Sequence, residues 1–190
     1  MGAAVPLQRH KISVEAYHQM GKAGILAEND RVELIDGDLI NMAPIGSVHA
    51  SVVNTLNDFF VRQVGIHGIV SVQNSLNLQP DSEPQPDLMV LKPRADRYRN
   101  ALPIAGDVLL LIEVADTTAD YDRKIKVPLY ARHGVAEVWL IDLAARQLEI
   151  YREPHPAGFR TLLRRGPEDR VAPGQIAMAE LPLSEIWPAA

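Results

Sequence analysis

Two acidic residues stand beside apolar runs, where carboxylates are unusual. Glu113 interrupts the run VLLLIEVA at 108–115, and Asp87 follows Pro86 and opens the run DLMVL. Burial of an unpaired carboxylate is costly, so Glu113 must be paired, protonated or metal-bound unless the strand leaves the core there. Asp87 alone also fits a turn residue after proline. Together the two carboxylates indicate a site for a hard divalent cation at one end of a sheet.

A third carboxylate, Glu33, lies in a segment whose turn can be predicted. Asp36 and Gly37 separate the apolar runs RVELI and DLINM, which is typical of a hairpin with a two-residue type I′ turn. The register of that hairpin places Glu33 opposite Ile40 and beside Ile35. Glu33 is therefore predicted to have apolar neighbours, although a carboxylate at a hairpin edge is also commonly solvated.

The segment after the apolar run at 108–115, TTADYDRKIKVPLYARHGV, is predicted to be a helix and carries cationic side chains. Lys126 and Tyr130 are four residues apart and Arg123 is three residues before the lysine, so one helix face can present cations to the sheet. An exposed face on which Asp122 pairs with Lys126 explains the same pattern. Pro128 interrupts this helix, and a kink there would displace Lys126 from the site.

These residues need a sheet and helices to bring them together. The apolar runs that predict strands are IVSVQNSLNL, DLMVL, DVLLLIEVA, EVWLID, QLEIYRE and FRTLLRR. The run at 108–115 is almost continuously apolar, as expected of a central strand that is buried on both faces. Helical patterns alternate with these strands. The sequence therefore predicts an α/β (α+β) fold with a mixed sheet flanked by helices.

Capping residues and glycines predict the ends of two other helices. Ser13 is expected to cap a first helix that ends in the region 21–24. Ser47 is expected to cap a longer helix that ends at Gly65 and has apolar residues at a 3.6-residue period.

Composition bounds the class of protein. The 190 residues suit one domain over 1–190, with a C-terminal tail that packs through Ile186 and Trp187. The chain has no cysteine, which excludes disulfides, thiolate metal sites and cysteine nucleophiles. Its net charge of −5 has the wrong sign for long-range capture of nucleic acid, so any such contact must be local.

Several common motifs are also absent from the sequence. It contains no glycine-rich phosphate loop, no G-x-S-x-G elbow and no H-E-x-x-H, so nucleotide binding, serine hydrolysis and zinc proteolysis have no support. No apolar run approaches the length that spans a bilayer, and the N-terminus has no apolar signal core. A cytoplasmic protein without membrane contact is expected.

Four stretches together carry a family resemblance. VELIDGDLINMAP, QPDLMVL, LLIEV and YDRKIKVPLYARHGVAEVWLID, in this order and spacing, resemble the Uma-two family of "putative restriction endonucleases". The resemblance covers about residues 12–152 and leaves a C-terminal strand and tail at 153–190. The family is placed in the PD-(D/E)XK nuclease superfamily. This implies a restriction-endonuclease-like mixed sheet flanked by helices, with a metal site at the end of the sheet.

The resemblance also implies the site residues. The acidic positions of the family match Glu33, Asp87 and Glu113. The superfamily lysine expected two residues after the last acid is here Ala115. Alignment on the Tyr-Ala-Arg-x-Gly-Val stretch puts Lys126 at the family's lysine, with Lys124 as the alternative.

The function implied by the resemblance is that of a Mg²⁺-dependent or Mn²⁺-dependent DNA endonuclease. Asp87, Glu113 and the Val114 carbonyl are expected to bind the cation. Lys126 would orient the attacking water or stabilise charge in the transition state, and Glu33 would hold a second cation or a water. DNA affinity should depend on the cation, because clustered carboxylates repel phosphates. A homodimer is expected, since cutting both strands of a duplex requires two sites.

Two other functions stay open. One is a catalytically weak nuclease-fold module that binds nucleic acid or a protein partner without cutting, which Ala115, Pro128 and the acidic net charge favour. The other is a metal-binding or structural protein with no affinity for nucleic acid.

His49, near the start of the long helix, either lines the site or is an ordinary helix histidine. Two basic stretches would contact a DNA backbone or are solvated loops: Lys92, Arg94, Arg97 and Arg99, and Arg160, Arg164 and Arg165.

Overall fold

The computed structural model describes residues 9–27 and 29–187. Its helices are α1 (Val14–Lys22), α2 (Ser47–Val64), α3 (Ala119–Tyr121) and α4 (Val127–Arg132), and a π-helical turn, Asp122–Lys126, joins α3 to α4. Its strands are β1 (Val32–Ile35), β2 (Asp38–Asn41), β3 (Ile69–Val72), β4 (Leu88–Leu91), β5 (Val108–Ala115), β6 (Glu137–Asp142), β7 (Gln147–His155), β8 (Gly158–Arg165), β9 (Arg170–Val171) and β10 (Leu181–Pro182). Within the described ranges, no helix is both long enough and apolar enough to cross a membrane.

Six strands form one mixed sheet in the order β3-β4-β5-β6-β7-β8. β5 and β6 are parallel, and every other neighbouring pair is antiparallel. β5 lies inside the sheet and nearly all of its residues are buried. The predicted central strand and the predicted mixed sheet are therefore confirmed.

Each face of the sheet carries its own apolar core. Alternate residues of β5 point to opposite faces, so Leu110 and Ile112 join the core beneath α2, whereas Leu111 and Ala115 join the core beneath α4. The C-terminal tail packs into the α2 core through Ile186, Trp187 and neighbouring leucines. Glu113 lies between Leu111 and Ala115 on the α4 face, which is the face that the helical segment 119–132 covers.

The β1–β2 hairpin has the predicted register. Glu33 pairs with Ile40, and both turn residues have positive φ, 47° at Asp36 and 77° at Gly37, as a type I′ turn requires. A β-bridge between Leu34 and Glu83 attaches the hairpin to the loop before β4. The hairpin therefore covers the end of the sheet where β4 begins.

Capping was predicted correctly at one helix and incorrectly at another. The Ser13 hydroxyl accepts a hydrogen bond from the Ala16 N–H at 3.1 Å, which confirms it as the cap of α1. Ser47 is the first helical residue of α2, so its prediction as the cap is wrong. The extended backbone of Gly46, with ψ near 160°, supplies the cap without a side chain.

The π-helical turn resolves the conflict between Pro128 and a continuous helix. The Val127 N–H donates to the Asp122 carbonyl, which is the five-residue spacing of a π turn. Pro128 has no N–H to give to a carbonyl four residues earlier, so widening the turn before it spares the helix a break. The predicted displacement of Lys126 does not occur, and its side chain is buried against the sheet.

Candidate active site

A cleft of about 320 Å³ opens where β5 ends and β4 begins. Its walls come from the β1–β2 hairpin, the start of α2, the end of β5 and the π-helical turn. β4 and β5 are antiparallel, so the first residues of one strand lie beside the last residues of the other. The predicted site residues that line the cleft are Glu33, Asp87, Glu113, Val114 and Lys126.

Glu113 and Lys126 form a buried ion pair at the floor of the cleft. The Lys126 Nζ lies 2.8 Å from Glu113 Oε1, and the Tyr130 hydroxyl donates to the same oxygen at 2.5 Å. Burial acts to raise the pKa of Glu113, and the charge of Lys126 acts to lower it. Burial also acts to lower the pKa of Lys126, but the charges of Glu113, Glu33 and Asp122 together outweigh it and the pKa is raised. Lys126 is therefore a permanent cation.

Glu33 completes a bridge across the lysine. Its Oε2 lies 3.3 Å from Lys126 Nζ and accepts the Gln85 N–H at 3.2 Å. Only 4% of Glu33 is exposed, so the alternative of a solvated hairpin edge is wrong. The attachment of the hairpin to the loop before β4 is what buries it.

Asp87 is held at the other wall of the cleft. Its Oδ2 accepts the Val114 N–H at 2.8 Å, and its Oδ1 lies 3.1 Å from His49 Nε2 and 3.4 Å from Gln73 Nε2. The hydrogen bond to Asp87 raises the pKa of His49, although burial opposes it. The N–H and the carbonyl of a strand residue point to the same side. The Val114 carbonyl therefore faces the Asp87 side of β5.

The other two positions considered for the lysine supply no cation to these carboxylates. Lys124 is largely exposed and pairs with Asp120 at 2.7 Å. Ala115 is fully buried in the α4 core. The lysine that contacts Glu113 therefore comes from the helical segment, because the strand position holds an alanine.

Sequence patterns missed Asp122 and misassigned Arg123. Asp122 lines the cleft, is 5% exposed and accepts the Thr118 hydroxyl at 2.7 Å, and burial raises its pKa. Arg123 instead turns away and lies 3.1 Å from both Asp142 and Glu149. The π turn changes the helix phase, so a 3.6-residue period assigns the wrong faces. Pro128 was the one sequence signal of such a change.

Arg31 and Tyr121 also line the cleft and were not predicted. Arg31 lines the cleft as an exposed cation, and among the described residues it has no ion pair. Tyr121 lines the opposite wall, and its hydroxyl is buried without a hydrogen-bond partner. Burial raises the pKa of Tyr121 to about 12, so the hydroxyl keeps its proton at neutral pH.

Comparison with known proteins places this chain in a family. A family model described as "Uma2: Putative restriction endonuclease" matches residues 14–184. The chain belongs to the Uma2 family. The match includes the C-terminal strand and most of the tail, which the sequence motifs alone did not cover. No curated protein matches the chain significantly.

A solved structure has the same fold. The crystal structure of a "putative nuclease belonging to DUF820" from Anabaena variabilis superposes with a TM-score of 0.74. The similarity covers 93% of this chain and 97% of that chain, at 17% sequence identity. The Uma2 chain therefore has a nuclease-like fold, and the family description names a nuclease activity.

The donor set of this Uma2 cleft fits a hard cation. The carboxylates of Asp87 and Glu113 and the Val114 carbonyl are oxygen ligands, and Mg²⁺ commonly binds one or two carboxylates while it keeps several waters. Both contacts of Glu113 fall on Oε1, which leaves Oε2 for the cleft. Within 9–27 and 29–187, no group of three His, Cys, Asp or Glu side chains is arranged to hold a metal. A cation here would thus rely on the carbonyl and on water.

The two basic stretches of the Uma2 chain lie at different ends of the sheet. The stretch 92–99 follows the end of β4 opposite to Asp87, and Arg94 there pairs with Asp96 at 2.7 Å. Arg165 belongs to the same row across the sheet as Val114, because Val114 pairs with Ile141, Ile141 with Leu148, and Leu148 with Arg165. Three strand spacings put Arg165 roughly 14 Å from the cleft.

Proposed function

We propose that this protein is a divalent-metal-dependent endonuclease that hydrolyses DNA phosphodiesters with an activated water. The observation that carries the proposal is the convergence of Asp87, Glu113 and Lys126 in one cleft. Carboxylates beside a buried lysine supply both a cation site and a fixed positive charge. Membership of the Uma2 family supports the same reaction class.

Each residue takes the role that its contacts allow. Asp87, Glu113 and the Val114 carbonyl would hold Mg²⁺ or Mn²⁺, and a bound cation supplies charge stabilisation and a water of lowered pKa. Lys126 is charged and held between two carboxylates, so its Nζ is positioned to orient the water or to stabilise charge on the phosphate. Glu33 keeps Lys126 in place and accepts from any water or second cation in the cleft.

The charge of the cleft makes substrate binding depend on the cation. Five acidic side chains line it at Glu33, Asp87, Glu113, Asp116 and Asp122, and the buried cation is Lys126. Such a site repels a polyanion until a bound divalent ion makes the local charge less negative. DNA affinity is therefore expected to rise with Mg²⁺ and to fall in chelator.

The test is cleavage of supercoiled plasmid and of single-stranded DNA in Mg²⁺, in Mn²⁺ and in chelator. Asp87→Asn and Lys126→Met should abolish metal-dependent nicking. Lys124→Met is the matched control, because Lys124 is an exposed lysine two residues away that pairs with Asp120. Circular dichroism of each variant separates lost chemistry from lost folding. Cleavage that persists in Lys126→Met or fails in Lys124→Met would contradict the assignment of the lysine.

A second function is binding of nucleic acid or a protein without cleavage. It is favoured because protein groups already contact most of the carboxylate oxygens that would hold a cation. Both oxygens of Asp87 have partners, and Glu113 Oε1 has two. If these contacts persist and no cation binds, the protein should bind its partner equally well in divalent metal and in chelator. Wild-type protein that is folded, does not cut, and binds DNA or a protein without divalent metal would support this function over the nuclease.

A further inference from the structure

The Tyr121 hydroxyl is a buried donor with no acceptor. Buried polar groups without hydrogen bonds are rare and costly in native proteins. Among the described residues, the buried side-chain atoms without a partner are His49 Nδ1, Tyr121 Oη, Arg152 Nε and Trp187 Nε1. The first two belong to residues that line the cleft, on opposite walls. This placement indicates a ligand that supplies the missing partners.

The surroundings of Tyr121 define what that ligand must offer. Tyr121 ends α3, directly before the π turn, and the charges of Glu33 and Lys126 both act on it. Its hydroxyl makes no hydrogen bond to Glu33, Glu113 or Asp122, the acidic residues whose charges act on it. A neutral phenol can donate a hydrogen bond, and the neighbouring lysine favours negative charge. The ligand atom that fits this position is therefore an anionic oxygen.

We infer that the Tyr121 hydroxyl is a further catalytic contact, which donates a hydrogen bond to a non-bridging oxygen of the phosphodiester in the cleft. The inference rests on the proposed function and adds a substrate contact to it. The hydroxyl is shielded from solvent in the ligand-free protein, so the contact forms when the Tyr121 side chain turns toward a bound phosphate; catalytic hydrogen bonds often close only in the substrate complex. Lys126 and Tyr121 then contact the phosphate from one wall, and Asp87 lies at the other.

The substitution Tyr121→Phe tests this contact cleanly. It removes one oxygen that makes no hydrogen bond within the described chain, so the thermal midpoint should stay the same or rise. The cleavage rate at saturating DNA should fall about 100- to 1,000-fold, the scale of losing one donor to a developing negative charge. Tyr98→Phe is the matched control, because the Tyr98 hydroxyl donates to the Lys92 carbonyl beyond the far end of β4. It should leave cleavage unchanged.

The outcomes separate this inference from the proposed function. If wild type cuts and Tyr121→Phe cuts equally well, the contact is refuted and the nuclease stands. If Tyr121→Phe loses stability together with activity, the hydroxyl is structural and the inference is also refuted. If wild type does not cut, the nuclease fails, and affinity for a short oligonucleotide in Ca²⁺ becomes the measurement. Weaker binding by Tyr121→Phe then supports the phosphate contact, whereas equal binding or none refutes it.

Discussion

His49 and Asp87 form a contact that links the protonation of His49 to the stability of the fold. The hydrogen bond to Asp87 raises the pKa of His49 against the effect of burial. A histidine of raised pKa stabilises the fold fully below the unfolded value of about 6.5, and that contribution is lost as pH rises through the folded-state pKa. The His49 resonance in an NMR titration should therefore titrate above that value. Asp87→Asn should lower its pKa.

A cation at Asp87 should act on the same histidine. Positive charge beside an imidazolium lowers its pKa, so Mg²⁺ is expected to shift the His49 titration downward. Asp58→Asn is the control, because Asp58 is an exposed carboxylate of α2 that pairs with Arg62 at 2.7 Å. It should leave the titration unchanged. If neither Asp87→Asn nor Mg²⁺ changes the pKa measured from the His49 resonance, the result would contradict the geometry of the site.

Arg31 is the exposed cation of the cleft, and it should contact a DNA phosphate. Arg31→Ala is expected to weaken DNA binding and to reduce the salt dependence by about one phosphate contact. The measurement is DNA affinity in Ca²⁺ over a range of salt concentrations. Arg62→Ala is the control, because 13 residues of α2 separate Arg62 from His49, roughly 20 Å along the helix. An unchanged salt slope in Arg31→Ala would exclude Arg31 from the interface.

At the scale of elements, sequence patterns predicted what local chemistry decides. The Asp36-Gly37 turn set the register of the hairpin, and the apolar run at 108–115 identified the central strand. The burial of Glu33 depends on a bridge between Leu34 and Glu83, 49 residues apart, which no local pattern encodes. Lys126 and Tyr130 share the predicted face and both contact Glu113, whereas the face predicted for Arg123 was wrong for a different reason. A π turn breaks the period from which faces are inferred.

Arg123 ties the π turn to the sheet and should position Lys126. Its guanidinium lies 3.1 Å from Asp142 at the end of β6 and 3.1 Å from Glu149 in β7. Arg123→Gln should lower the free energy of unfolding by about 2 kcal/mol, because it leaves buried carboxylates short of a partner. The cleavage rate should fall with little change in KM. Urea unfolding and cleavage kinetics measure the two effects.

The control for Arg123 is its neighbour Lys124. Lys124→Gln removes an exposed pair with Asp120, and such pairs contribute little to stability. Arg123→Lys keeps the charge but loses the planar fork, so it should recover only part of the rate. Full activity in a stable Arg123→Gln protein would show that the turn holds Lys126 without this anchor.

At the scale of the whole molecule, the two tryptophans test whether the chain is one domain. Trp139 in β6 and Trp187 in the tail are the only tryptophans, and both are buried in the α2 core. If residues 1–190 are a single cooperative unit, tryptophan fluorescence and far-UV circular dichroism should report the same urea transition. Trp187→Phe should shift both curves together to lower urea, because it leaves space in a shared core. Transitions that separate would assign the tail to an independent unit, and the predicted single domain would be wrong.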